Sequence, residues 1–390
     1  MAEVPSYDVD FYAEGVIADP YPHYSAMRAL GPLVWLPQNG LYAITRYAEV
    51  KQALSDHHIL ISGQGVAGNA KANALATANL LASDPPLHDH LRKVVGAPVM
   101  PDRLAAMRPR IMASAEALID RLLVREGFDG MSDLAHYLPV SIVSELVGLP
   151  EAGRENMLRW AAATFDMLGG ENARLDEALP VVMEMRAYCE HQATRENVRE
   201  GGWVAMLYDA AEAGLIEAQK VPVLMRDYLG PALDTTIFAT GHLLHQLGQS
   251  PDQWQILRES PNLIPNAINE AIRHESPIRA FTRVAAEDYQ VGDHILPKGA
   301  RVLVLYASAN RDERQWDNPE VFDIRRPAHA HLGFGHGLHA CLGMQLARLE
   351  IRSILTALVA KVRQIEVGEP VLAMNNVLRG FSALPMRLRA

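Results

Sequence analysis

Residues 334 to 343 read FGHGLHACLG, and a periodic apolar segment, MQLARLEIRSILTALVAKV, follows at once. Three glycines in ten residues deny the first stretch a regular element of its own, while the 3.6-residue spacing of the second marks a helix. Cys341 therefore sits at the mouth of a helix, near free backbone N–H groups and the positive end of the helix dipole, which favour thiolate over thiol. Thiolate is the form that ligates a metal. Gly335, Gly337 and Gly343 permit a tight loop whose backbone can approach a large flat object, with Phe334 packed beside it. The chain has 2 cysteines, Cys189 and Cys341, too few for a disulfide framework or a multi-cysteine zinc or iron–sulfur site. Cys341 thus acts alone as a ligand, or else is a small buried hydrophobe at a helix start, a common fate of a lone cysteine.

With 49% hydrophobic residues over 390 positions the chain can bury a large core, and at ~150 residues per domain its length alone suggests two or three units. No repeat, low-complexity tract or Gly/Ser linker divides it, so the reading is one domain over residues 1–390. The opening MAEVPSYDVDFYAEG has neither a basic start nor an apolar run. No stretch stays apolar for the roughly 18 residues a membrane span needs, which points to a soluble, cytoplasmic protein. A formal net charge of -10 argues against nucleic acid or an anionic membrane as a general partner. YPHYSAMRAL, MRPRIMASAEALIDRLLVREG, QKVPVLMRDYLGPALDTTIFATGHLLHQLGQ and NLIPNAINEAIRHES carry helical periodicity, whereas strand-like pieces such as LVWL, LYAITRY, YQVGDHILPKGARVLVLY and LRGFSALPMRL are short. The expected fold is mainly α with small β-sheets.

The pattern Phe-Gly-x-Gly-x-His-x-Cys-x-Gly, here Phe334, Gly335, Gly337, His339, Cys341 and Gly343, resembles the haem-binding loop of the cytochrome P-450 monooxygenases. The resemblance runs from DPYPHYSAMR to LRGFSALP. It implies a single-domain fold of soluble bacterial type, with haem b (iron protoporphyrin IX) between a long central helix and the cysteine-loop helix, and with Cys341 as the iron ligand. In NEAIRHESP, Glu270 and Arg273 stand at i and i+3, where side chains meet. An isolated pair of this kind is usually solvated surface. Within the resemblance it becomes the Glu-x-x-Arg helix, with Arg326 as third member of a buried ionic triad that holds the cysteine loop. His88 and Arg92 share a helical face in DPPLHDHLRKVV, a spacing that by itself is only a polar patch. The resemblance assigns them, with Arg283 and His339, to the haem propionates.

MRDYLGPALDTTIFATGHLL looks like the central helix. Asp234 and Thr235 match the family's acid and alcohol, which relay protons, while Pro231 and Ala232 replace its usual small-residue pair. Proline removes one hydrogen bond and clashes with the preceding turn, so a kink is expected at Pro231. The resemblance implies that one oxygen atom from O2 enters a substrate, with electrons from a ferredoxin or similar redox partner served by an NAD(P)H-dependent reductase. NNVLRGFSALPMRL and SANRDERQWDNPEVFDI are similar to members that oxidise small aromatic acids and aryl methyl ethers, which points to hydroxylation or O-demethylation. Phe165, Ile278, Phe281 and Phe381 then fall in regions that line the pocket, and ISGQGVAGNAKANALATANLLASDPP resembles the variable lid. If the central helix runs on, Asp227 looks into the pocket with Thr235 and rejects carboxylate substrates, or else it pairs with a polar loop. Two rival readings share the cysteine loop: a peroxide-driven peroxygenase, which usually lacks the acid and alcohol, and a non-enzymatic haem sensor or carrier.

Overall fold

Proline opens several of the helices, in the first turn, where its missing N–H is no loss: Pro101–Leu123, Pro251–Glu259 and Ile264–His274 all begin this way. The computed structural model describes residues 3–76 and 78–390; Met1, Ala2 and Thr77, the last within the expected lid, lie outside the described residues. Helices dominate, with small sheets attached, as expected. No helix among the described residues is long and apolar enough to cross a membrane.

The largest apolar cluster joins Leu118 and Leu122 of helix Pro101–Leu123 to Ile351, Ile354 and Leu358 of helix Met344–Lys361 and to Leu243, Leu244 and Leu247 of the central helix Asp234–Gln249. A second cluster surrounds a sheet of five strands in the order Leu33–Leu36, Leu41–Ile44, Arg301–Val304, Phe281–Ala285 and Leu60–Ile61. The pairing of Leu41–Ile44 with Arg301–Val304 is parallel and the others are antiparallel. This sheet carries Phe281 and Arg283, whose separation of two residues puts them on one face.

Pro231 does more than kink the central segment. Helix Val221–Leu229 ends at Gly230, and the next helix starts at Asp234. Pro231 has no N–H to return to the Asp227 carbonyl, and Gly230 before it has little helix propensity. Thr235 Oγ1 donates to the Pro231 carbonyl at 3.2 Å, and Ile237 N to the Leu233 carbonyl at 3.1 Å. The break voids the expectation that Asp227, Asp234 and Thr235 follow one continuous helical arc.

Glu270, Arg273 and Arg326 do meet. Arg273 grips Glu270 with two nitrogens, Nε at 2.7 Å and Nη2 at 2.8 Å, and Arg326 Nε donates to the same carboxylate at 3.1 Å. The side chains of Glu270 and Arg273 are 0% exposed. The remaining donors go to backbone: Arg273 Nη1 to the Asn310 and Pro319 carbonyls, and Arg326 to those of Asp317, Asn318 and Val321. Asn310 Oδ1 in turn accepts from Leu332 N at 2.7 Å, two residues before the cysteine loop. Removing Glu270 strands two guanidinium groups, so Glu270→Ala should cost on the order of 3–5 kcal/mol. Urea unfolding read by circular dichroism checks this, and an unchanged midpoint would contradict it.

Candidate active site

The cysteine loop is built on two left-handed glycines, Gly335 at φ +71 and Gly337 at φ +68. At Gly337 a Cβ would also come within 2.5 Å of the Leu54 carbonyl oxygen, so no other residue fits without displacing backbone. Cys341 N closes the loop by donating to the Phe334 carbonyl at 2.8 Å, and helix Met344–Lys361 starts three residues on. The thiol is exposed, and what it is exposed to is the cavity that it lines. Its pKa lies above the ordinary thiol value. Burial raises it first, against the Gly343 and Met344 N–H groups and the Arg92 and Arg348 guanidinium groups, which pull it down. The helix terminus thus favours thiolate as expected but loses to desolvation. A cation at sulfur decides ionisation, because a coordinating thiol is deprotonated outright.

The cavity, about 290 Å³, lies between this loop and the central helix. Thr235, Thr236 and Ala239 line it, spanning an arc of about 100° on the helix, and Asp234 falls about 100° outside that arc. Asp234 is accordingly buried on the far side of the helix from the cavity, 6% exposed, with its carboxyl pushed up to about 7 by burial and then by the charge of Asp166.

At one end of the cavity His88 and Arg92 of helix Leu87–Gly96, Arg283 and His339 converge. The two imidazoles pack edge to face with centroids 4.5 Å apart. His88 Nε2 and His339 Nε2 are both buried and find no hydrogen-bond partner among the described residues. Burial, then the nearby Arg283, holds His339 down to about 3, and burial lowers His88 as well. Arg92 Nη2 donates to the Ala340 carbonyl and Arg283 Nη1 to that of Thr282, each at 2.8 Å. Two buried imidazole nitrogens without partners, each a donor once its ring is protonated, stand beside two guanidinium groups, a set that a pair of carboxylates entering from outside the chain would satisfy. A flat tetrapyrrole with two propionates, and a thiolate for its iron, fits these residues.

Phe165, Ile278 and Phe281 line the rest of the cavity with Leu80, Leu168 and Thr164. Phe381 does not reach it. Strand Arg379–Ala383 turns its ring onto His242 and His245 of the central helix, at 4.7 and 5.2 Å, and the cavity wall is supported instead by Val377 and Leu378 at the preceding turn. Asp227 does line the cavity, but its carboxylate is engaged: Asn79 Nδ2 donates to one oxygen at 2.5 Å and Leu80 N to the other at 3.0 Å. Both donors belong to the lid. Burial, opposed by these bonds and Arg226, pushes the Asp227 carboxyl up to about 6. Asn79, Leu80, Thr164 and Leu168 escaped sequence reasoning, and Arg226, which helical geometry turns about 100° from Asp227, lines the cavity as well. The lid has no periodicity to decode, although Thr164 and Leu168 at i−1 and i+3 from Phe165 were within reach of a helical-face count.

The Cytochrome P450 family profile matches residues 243–370. The chain is 36% identical to Cytochrome P450 CYP199A2 of Rhodopseudomonas palustris, with 99% of this chain and 95% of the relative covered. It is 30% identical to Linalool 8-monooxygenase of Pseudomonas putida, with 92% of each covered. Among solved structures, cytochrome P450 CREJ in complex with (4-ethylphenyl) dihydrogen phosphate matches with a TM-score of 0.87 at 26% identity, over 96% of this chain and 98% of that one. The chain belongs to the cytochrome P450 family. It is a haem-dependent monooxygenase that uses O2 and electrons from redox partners.

Cys189 is 1% exposed on helix Ala173–His191, outside the cavity lining, with its thiol pushed up to about 12 by burial. Cys341→His should therefore abolish the thiolate signature in the carbon monoxide difference spectrum, and Cys189→Ser should keep it; the reverse pattern would refute Cys341 as ligand.

Proposed function

We propose that the protein hydroxylates or O-demethylates a small, neutral aromatic substrate, phenolic or methoxy-aromatic, with electrons from a ferredoxin and its NAD(P)H-dependent reductase. The observation that carries this reading is the cavity lining: Phe165, Phe281, Ile278, Leu80 and Leu168 contribute apolar side chains, and Asp227 brings an acceptor among them. Two aromatic rings and three branched aliphatic side chains suit a flat ring, and a carboxylate oxygen has a lone pair left for a phenol after accepting one bond.

His88, Arg92, Arg283 and His339 would hold the propionates, and Cys341 the iron. Bound there, haem supplies the redox chemistry that activates O2 with two electrons and two protons. Phe165 and Phe281 orient the ring and exclude water. The Thr235 hydroxyl lines the cavity, and Asp234, at the start of the same turn, holds an exchangeable proton near neutral pH. Together they deliver protons to the oxygen side of the pocket. With an aryl methyl ether, a hydroxylated methyl collapses to a phenol and formaldehyde. Thr235→Ala and Asp234→Asn should retain haem but divert reducing equivalents to peroxide, lowering product per NAD(P)H by ~10²-fold or more where the group is the proton donor. Unchanged coupling in both variants would refute the relay.

Substrate charge gives a second test. An ionised Asp227 at ~4 Å from a benzoate costs about 4 kcal/mol at an effective dielectric of 20. Burial has raised its pKa to about 6, so ionised Asp227 opposes benzoates above that pH and its protonated form ceases to do so below it. Spin-shift titrations should show tighter binding of guaiacol than of methoxybenzoates at neutral pH, with benzoate affinity rising as pH falls through about 6 and rising at neutral pH in Asp227→Ser. Tighter benzoate binding by the unmodified protein at neutral pH would overturn the reading.

A further inference from the structure

Gly380 lies inside strand Arg379–Ala383, opposite Ala373 of strand Val371–Met374. A glycine within a strand gives up packing and costs conformational entropy, and Gly380 is not among the residues in the left-handed region, so its backbone does not call for glycine. Space does. A Cβ on Gly380 would come within 2.1 Å of Phe238 Cγ and within 2.3 and 2.6 Å of the two Cδ atoms. The ring of Phe238, on the central helix Asp234–Gln249, is thus laid against bare backbone. The atoms met are at the root of the ring, where rotation about the last torsion clears nothing, and a helix restricts the first torsion. The same ring packs on the cluster of Phe165, Val377 and Leu378, against which Leu168, Ile278 and Phe281 also pack. Phe165, Leu168, Ile278 and Phe281 line the cavity, whereas Phe238 and Gly380 stand outside that lining.

The backbone behind the cluster is fixed. Asn375 Oδ1 accepts from Val377 N at 3.0 Å and from Leu378 N at 2.9 Å, Arg279 N donates to the Val377 carbonyl at 3.0 Å, and Arg379 N donates to the Pro277 carbonyl at 2.9 Å. A displaced Phe238 ring therefore finds no give in residues 377–379, and in a closely packed interior its shift passes to the side chains that border the cavity. We propose that Phe238, seated on Gly380, is a buttress behind the substrate wall, and that this pair sets the size of substrate the cavity admits although neither residue touches it. Both are positioning residues that act through Phe165 and its neighbours. A methyl group at position 380 drives the ring into the cluster and the wall into the cavity, whereas trimming the ring leaves room behind the wall into which Phe165 can retreat. The inference rests on the proposed function only in taking this wall as the one that meets the substrate.

The test uses the haem-loaded protein and two probes that bind the iron through the same kind of nitrogen, imidazole and phenylimidazole, with dissociation constants read from absorption difference spectra. The probes differ by one ring, so the ratio of their constants gauges the room in front of the wall. In Gly380→Ala phenylimidazole should weaken by about tenfold or more relative to imidazole. In Phe238→Ala a bulkier biphenylyl imidazole should gain by a similar factor relative to imidazole. Combining Gly380→Ala with Phe238→Ala should recover phenylimidazole binding, because the added methyl group then meets no ring. Each single variant tests the buttress if the other fails to fold. An unchanged ratio in Gly380→Ala, an unchanged relative affinity for the biphenylyl probe in Phe238→Ala, or no recovery in the double variant would overturn the inference, since a glycine needed only for folding would weaken all probes alike. The probes require no aromatic substrate, so failure of the unmodified protein to bind guaiacol would bring down the proposed substrate class and leave the buttress standing.

Discussion

A fully buried carboxylate with two guanidinium groups on it is the constraint from which the cysteine loop hangs. Glu270 neutralises Arg273 and Arg326, and those arginines spend their other donors on backbone carbonyls between residues 310 and 321. Such a cluster is weak as a source of net stability, because desolvation offsets most of its attraction. Its value lies in geometry. A guanidinium holds its donors in a fixed fork, so each carbonyl that it binds is placed relative to Glu270 and hence to helix Ile264–His274. Asn310 carries that placement on to Leu332, and the loop that presents Cys341 begins there.

The cavity depends on the opposite condition, polar groups left without partners. His88 Nε2 and His339 Nε2 are buried and unbonded among the described residues, an arrangement that costs free energy unless something from outside the chain completes it. The same logic holds at Cys341, where burial opposes the thiolate that the helix terminus favours. Haem held by these residues would resolve all of these at once, and part of the fold's electrostatic cost would then be recovered only with the cofactor in place.

The break at Gly230–Leu233 separates two tasks that one continuous helix would have forced onto one face. Helix Val221–Leu229 places Asp227 under the lid, where it ties Asn79 and Leu80 to the cavity roof, while helix Asp234–Gln249 turns Thr235 inward and Asp234 outward. The residues proposed for substrate recognition and for proton supply thereby fall on opposite sides of a proline.

By itself the sequence determined the parts whose geometry is local. Glycines in the left-handed region, a cysteine at a helix mouth, pairs spaced for one helical face at Glu270 and Arg273 or His88 and Arg92, and a proline that cannot continue a helix all carry their consequences within a few residues. Only the tertiary structure decided what lies across the chain from them. Asp227 meets a lid residue 148 positions away, which no periodicity announces, and the carboxyl of Asp166 meets Asn376 at a separation of 210. The ring of Phe381 follows the packing of its strand on the central helix rather than the cavity, because neighbouring strand residues point to opposite faces and a pattern of apolar residues does not say which face is which. The state of the Cys341 thiol was divided between the two levels: the helix terminus was legible and pushes toward thiolate, but desolvation is a property of everything packed around the sulfur, and it pushes harder.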